Sequence, residues 1–229
     1  MKVIIFDPPK NIENKIAVAA KMCYSASNID DLMEKISKQD QEKFIRKIIS
    51  IGHHSVLEHV ELNFAVEGIS RVLSHQLVRH RIASYSQQSQ RYVKLDETFE
   101  YITPESIRLS PRLSMKYDDL MDQIHDLYKD YLNADVPAED ARYILPNATE
   151  TKIFITMNLR VLLHFFNVRC CNRAQWEIRA MAIEMLKQCK ELSQIIFESS
   201  GPSCIGGNCG EGEMTCGDMG SVRNKFKEM

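Results

Sequence analysis

Val3 to Phe6 is a short apolar run followed by the breaker Pro8-Pro9, a pattern that predicts a strand with an abrupt end. Ile12, Ile16, Ala19 or Ala20, and Cys23 then recur at helical spacing. A second amphipathic segment runs from Gln41 to Ile51 and stops at Gly52, so both segments predict helices laid by one face on a sheet. Around Leu62, Phe64 and Val66 the letters alternate, which predicts a half-buried strand from Val60 to Val66, closed by Gly68, with helix resuming near Ser70. Ser110 as N-cap and Pro111 in the first turn open a long helix to about Asn133. Its Leu113, Tyr117, Leu120, Ile124, Leu127 and Tyr131 fall on one face. Pro137 starts a further helix through Ala141 to Leu145, Pro146-Asn147 punctuates, and another helix is expected from Thr149. Between Ile153 and Val168 eleven of sixteen residues are apolar and cover every side, the pattern of a central helix buried all round. A last helix is expected from about Ala174 to Phe197. Seven of the nine glycines then crowd between Gly201 and Gly220 with three cysteines, which reads as a loop or tail.

These elements predict an α+β fold: a mixed sheet flanked by helices, with a long central buried helix. A single domain would cover 1–200 and a Gly/Cys-rich tail 201–229. The length of 229 residues suits one core, and 44% apolar with 26% charged residues excludes disordered, collagen-like and coiled-coil classes. Four apolar residues at the N-terminus are too few for a signal-peptide core, and Asn158, Arg160 and His164 break the most apolar stretch before it could span a membrane. Seven cysteines without an export signal are expected to be reduced thiols, so the cytoplasm is the expected compartment and no membrane is a partner.

A net charge of −2 excludes a generic polyanion binder, so any anion site must be local. Two stretches supply one. From Gly68 through Leu95 there is no Asp or Glu, whereas Arg71, Arg79, Arg81, Arg91 and Lys94 are present with His75 and His80. Within it, Arg79 to Tyr92 holds three arginines, three serines and three glutamines, an inventory of planar forks, hydroxyls and amides that suits a nucleotide. The bland alternative is a solvated basic face with acidic partners elsewhere in the fold. From Thr151 to Trp176 there is again no acid, with Lys152, Arg160, Arg169 and Arg173 present. Asn158, Leu162, Phe165 and Arg169 share one helical face there, and Arg160, His164, Asn167 and Cys171 the next. Neither a phosphate-binding lysine loop nor a Gly-x-Gly-x-x-Gly turn occurs, which predicts a non-Rossmann site. The run His53-His54-Ser55-Val56-Leu57-Glu58-His59 invites a metal reading, but it is not His-Glu-x-x-His, and positioning a ring or phosphate is the better reading.

Arg79-His80-Arg81, seven residues and then Ser89-Gln90-Arg91-Tyr92 resembles the defining motif of the flavin-dependent thymidylate synthases. Gly52-His53-x-Ser55-x-x-Glu58-His59, Gln76, Ala141-Arg142-x-x-Leu145-Pro146-Asn147-Ala148-x-Glu150-Thr151, Asn158-x-Arg160, and Arg169 followed by Ala174 to Arg179 are similar to further blocks of that family, in family order, over about residues 1 to 198. The resemblance implies the fold of that family and a transfer of one carbon to deoxyuridylate (dUMP), giving thymidylate (dTMP). Methylenetetrahydrofolate would be the donor, FAD the hydride carrier and NADPH the reductant, in a homotetramer with shared active sites. It also implies that Gln76, Arg79, Gln87, Gln88, Ser89, Gln90, Arg91, Arg142 and Arg169 hold dUMP. Ser55, Glu58, Arg79, His80, Arg81, Asn158, Arg160, His164 and Arg173 would hold FAD, with Arg169, Ser89 and His53 at the chemistry. Arg169 is expected to stabilise negative charge on the uracil oxygens. Ser89, lacking an adjacent base, is expected to donate a hydrogen bond rather than attack.

The chain departs from the family pattern at Ser86-Gln87, where Asn-Glu is common, and at Cys170-Cys171-Asn172-Arg173, where a small residue, an acid, serine and histidine are common. Two other classes compete. A nucleic-acid module would need an aromatic stacking series, and only Tyr85 and Tyr92 are at hand, so polymeric nucleic acid is not an expected partner. A metal or iron–sulfur site could be built from Cys204, Cys209 and Cys216 with Cys170, Cys171 or Cys189, although no Cys-x-x-Cys knuckle occurs; the alternative is reduced thiols.

Overall fold

The computed structural model describes residues 1–37, 40–97 and 99–229. In chain order these form β1 (Lys2–Phe6), α1 (Ile12–Met22), α2 (Ile29–Ser37), α3 (Gln41–Ser50), a 3₁₀ turn at His54–His59, β2 (Glu61–Ser70) and α4 (Arg71–Leu77). There follow β3 (Ser84–Gln87), α5 (Glu105–Arg108), α6 (Pro111–Asn133), α7 (Ala138–Ala141), β4 (Glu150–Asn158), α8 (Leu159–Arg169), α9 (Trp176–Leu192), α10 (Gln194–Phe197) and α11 (Met219–Lys227). The strands make one four-stranded sheet in the order β1-β2-β4-β3, so the fold is α+β as expected.

Contacts divide the chain into two units, and the division falls inside β2 and β4. One comprises Met1–Lys2, Val66–Arg79 and Tyr85–Phe154; the other comprises Val3–Ala65, His80–Ser84 and Ile155–Met229. In the first, α6 buries only Met121 and Tyr128. In the second, α1 and α3 bury Ile12, Ile16, Ile45 and Ile48, while α8 and α9 bury Leu162, Phe165, Phe166, Met181 and Met185.

β1, α1, α3, α4, α6 and α7 lie where the pattern puts them. The long central buried helix does not exist as one element. Residues 150–158 are a strand whose Thr151, Ile153, Ile155 and Met157 face inward by alternation, and only 159–169 are helical, burying Leu159, Leu162, Phe165 and Phe166 on one side. A period-2 run spliced to a period-3.6 run looks apolar on every side when it is read as one helix. Asn158 marks the splice, its Oδ1 accepting from Val161 N at 2.9 Å as the N-cap of α8.

β2 does not stop at Gly68. The glycine takes φ 72° within the strand, its N–H donates to Glu150 Oε1 at 2.8 Å, and the inward phase slips from Leu62, Phe64 and Val66 to Ile69. The chain thus bends where alternation alone predicts an end. The segment after Gly201 is not a bare loop either. α11 buries Val222 and Phe226; Lys190 Nζ donates to Phe226 O at 2.8 Å, and Arg223 reaches Cys204 O at 2.7 Å. Among the described residues no helix is long and apolar enough to cross a membrane.

Candidate active site

In the first unit the acid-free stretch folds against α7. Ser70 Oγ caps α4 by accepting from Leu73 N at 3.1 Å, which sets Arg71 at the first helical position. Arg71 is half-buried; its Nη2 donates to Gln88 O at 2.8 Å, and its buried Nε–H has no partner. Burial and the nearby Arg142 both lower its pKa from the ordinary arginine value. Arg142 is fixed by Nε donating to Glu139 O at 3.0 Å, and Arg91 Nε donates to Glu139 Oε2 at 2.9 Å. β3 runs beside β4, with Gln87 Nε2 on Thr151 Oγ1 at 3.3 Å and Gln88 N on Lys152 O at 3.0 Å. Ser89 begins the turn that follows: its Oγ accepts from Arg91 N at 3.2 Å and its carbonyl from Val93 N at 3.0 Å. Among the described residues no imidazole or carboxylate bonds Ser89 Oγ, so nothing on hand would activate it as a nucleophile.

Arg71, Gln87, Gln88, Ser89, Arg91 and Arg142 are therefore brought together, on one cap, one strand edge and one short helix. Arg79 is exposed beyond α4, Gln76 is half-buried on α4, and Gln90 lies in the turn after β3. Two neighbouring guanidinium groups and an orphan N–H in one half-buried patch fit a phosphate or another dense anion.

The second unit holds the other set. His53 follows Gly52, whose φ of 76° turns the chain out of α3, and its Nδ1 lies 3.2 Å from Tyr24 Oη. Ser55 and Glu58 are exposed on the 3₁₀ turn, which is anchored by buried Val56 and Leu57; Glu58 pairs with Arg160 of α8. His80 sits edge-on to Phe165, ring centroids 5.0 Å apart, and to His164 at 6.1 Å. Arg169 Nε donates to His80 Nε2 at 3.0 Å. That acceptor role requires the neutral ring with its proton on Nδ1. Burial, Arg169 and His164 together push the His80 pKa down to about 4, which keeps it neutral. Asn158 spends its Oδ1 on the α8 cap. Arg81 and Arg173 are exposed, and Arg173 N donates to Cys171 Sγ at 3.5 Å. Planar rings, exposed guanidinium groups and the Ser55 hydroxyl are a donor set that fits a cofactor carrying a pyrophosphate and flat aromatic rings.

The solvated-face alternative accounts for part of the charge: Arg91 has Glu139 and Arg160 has Glu58. No described carboxylate forms an ion pair with Arg71, Arg79, Arg81 or Arg142. All seven cysteines are free thiols, and among the described residues no three His, Cys, Asp or Glu side chains are placed to hold a metal. Cys204 is buried, Cys209 and Cys216 are half-buried, and burial pushes the Cys170 thiol up to about 12. The letters single out neither Glu139 nor Tyr24. Arg71 stands in the acid-free stretch, but its burial is not written there.

A family model described as thymidylate synthase complementing protein matches residues 5–193 of the chain. A flavin-dependent thymidylate synthase of Geobacter sulfurreducens is 50% identical over 230 residues, covering 100% of this chain and 99% of that protein. Proteins of the same name from Clostridium tetani and Thermococcus onnurineus are each 44% identical, over 99% and 100% of this chain and 97% of each relative.

Proposed function

The chain belongs to the flavin-dependent thymidylate synthase family, and we propose that it converts dUMP to dTMP with methylenetetrahydrofolate as carbon donor, FAD as cofactor and NADPH as reductant. The single observation that carries the nucleotide site is the half-buried Arg71, with an orphan Nε–H beside Arg142. A fold that leaves such a pair without a carboxylate is stabilised by an anion from outside.

In this reading Arg71, Arg142 and Ser89 take the dUMP phosphate with Arg79, Arg91 and Gln90, while Gln76, Gln87 and Gln88 read sugar and ring. Gln87 in place of a carboxylate keeps the reach and removes one negative charge beside an anionic substrate. His53, Ser55, Glu58, His80, Arg81, Asn158, Arg160, His164 and Arg173 line FAD, which when bound supplies the two-electron carrier between NADPH and the nucleotide. Arg169, whose Nε donates to neutral His80 at 3.0 Å, is the residue assigned in this reading to stabilise negative charge developing on the uracil oxygens. Ser89 orients and does not attack. A homotetramer is supported by Leu113, Leu120 and Leu127 of α6, which recur every seven residues and are all exposed. Residues 1–200 act as the catalytic domain, and 201–229 pack as an appendage.

The test is an absorbance spectrum of the purified protein followed by titration with dUMP. Flavin bands that shift on addition of dUMP, and dTMP formed from methylenetetrahydrofolate and NADPH, are expected. A colourless protein that neither takes up FAD nor responds to dUMP would refute the reading.

A further inference from the structure

α1, α2 and α3 enclose a groove of about 620 Å³ within the second unit. Its floor is apolar: Leu32 and Ile36 come from α2, and Phe44 and Ile48 from α3. Its rim is cationic, with Lys21 on α1, Lys35 on α2, and Lys43 and Lys47 on α3. Among the described residues one carboxylate, Asp40, also lines the groove, and its Oδ1 is engaged as the α3 cap, accepting from Lys43 N at 3.1 Å. Among the described residues no ion pair joins any of the four lysines to an acid. Lys35 Nζ donates to Ser27 Oγ at 2.8 Å, and Lys21 Nζ lies 4.6 Å from the centre of the Phe44 ring.

The groove leads to the flavin-side residues. Tyr24 lines it, and Tyr24 Oη lies 3.2 Å from His53 Nδ1. A ligand whose reactive end lies at His53 can therefore continue past Tyr24 onto the apolar floor and among the lysines. Charge and shape together select what continues. Among the described residues no arginine lines the groove, so the planar fork that favours a compact pyrophosphate is missing there. Single-point charges on flexible stems, spread over three helices, instead suit separate carboxylates on a flexible chain. An apolar floor between them suits a flat benzoyl ring.

Resting on the function proposed above, we propose that this groove binds the p-aminobenzoyl-glutamate tail of the folate donor and that its lysines select donors carrying several γ-linked glutamates. The test compares mono- and triglutamyl methylenetetrahydrofolate on the FAD-loaded full chain, by equilibrium binding and by the KM of each. The variant is Lys35→Gln/Lys43→Gln/Lys47→Gln, with Lys116→Gln on α6 as control. Wild type is expected to bind the triglutamate about tenfold more tightly than the monoglutamate at low salt, an advantage that shrinks as salt rises. The triple variant should bind both alike, with the KM for NADPH and for dUMP unchanged and monoglutamate turnover retained. Equal binding of both folates by wild type overturns the inference while leaving the proposed activity intact. So does a triple variant whose NADPH affinity falls and whose triglutamate preference survives, because the occupant is then the dinucleotide. Failure of wild type to bind either folate overturns the inference and the underlying reading together.

Discussion

Arg71 carries a cost that the described fold does not offset, because a half-buried guanidinium with an orphan N–H next to a second guanidinium destabilises the empty protein. Arg71→Met removes the desolvated charge and keeps the stem, so the unliganded variant is expected to melt no lower than wild type. Saturating dUMP, at a hundred times its Kd, should stabilise wild type by about 2.7 kcal/mol and the variant by far less. Thermal melts with and without dUMP check both halves, and a variant that melts lower when empty would show Arg71 to be a structural strut. Arg169 is the opposite case, a guanidinium whose orientation is fixed by a neutral ring. Arg169→Ala should lower turnover by on the order of 10²-fold, and Arg169→Lys should recover little because ammonium lacks the planar fork. Unchanged dUMP-dependent flavin oxidation in the alanine variant would remove Arg169 from the chemistry. His80 adds a pH dependence. Its ordinary value is 6.5 and the folded value about 4, so between these the unfolded chain binds more protons. Stability is therefore lost as pH falls from about 6.5, and the loss is complete below about 4. His80→Gln keeps an acceptor without the titration and should show a flatter urea-midpoint profile across that window; coincident profiles would place the acid sensitivity elsewhere.

At the scale of elements, the sequence reads well wherever one period governs a segment and poorly where two meet. α6 is legible from Pro111 and the three-and-four recurrence of its apolar residues, and α1 and α3 likewise. The stretch 150–169 is misread because Ile153, Ile155 and Met157 serve a strand and Leu162, Phe165 and Phe166 a helix, and no glycine or proline separates them. α2 is missed although Ile29, Leu32, Met33 and Ile36 stand at i, i+3, i+4 and i+7, because the run of 29–37 is only nine residues and neither a glycine nor a proline marks its ends. Gly68 signals a break in alternation, but a bend and a stop share the same letter. The bend has an energetic signature: a Cβ there would lie 2.9 Å from Met1 N in a backbone at φ 72°. Gly68→Ala should therefore cost about 1 kcal/mol from the backbone alone, with the contact adding to it. Asn158→Ala should cost about 1 kcal/mol by losing the α8 cap. Urea titrations measure both: a loss of only about 1 kcal/mol in Gly68→Ala would mean the N-terminus moves freely aside, and a neutral variant would mean the backbone relaxes out of the left-handed region as well. The candidate site divides the same way. Arg79 to Tyr92 is visible as letters because its residues are consecutive. The lysines of the α1–α3 groove are not, since Lys21, Lys35, Lys43 and Lys47 lie on three helices with Asp30, Asp31, Glu34, Asp40 and Glu42 between them in sequence.

For the whole molecule, the apolar residues that the described fold leaves in water matter as much as those it buries. Leu113, Leu120 and Leu127 stand 42%, 49% and 44% exposed along one line of α6, and Leu109 just before the helix and Met115 on it are more exposed still. Seven-residue spacing keeps the leucines on one stripe, the geometry of a helix that packs against another helix. A net charge of −2 puts little repulsion in the way of self-association. Each leucine is already more than half covered, so withdrawing the rest from water contributes about 1 kcal/mol apiece, and four copies of the stripe still hold a substantial share of an assembly's stability. Leu120→Lys/Leu127→Lys puts charges on the stripe without touching Met121 or Tyr128, the inward side of α6. Light scattering is expected to show a tetrameric mass for wild type and a smaller one for the variant, with helix content preserved by circular dichroism. If active sites are shared between subunits, turnover should fall with the mass and recover at high protein concentration. A variant that stays tetrameric would move the interface off α6, and a wild-type protein monomeric at working concentration would end the tetramer proposal.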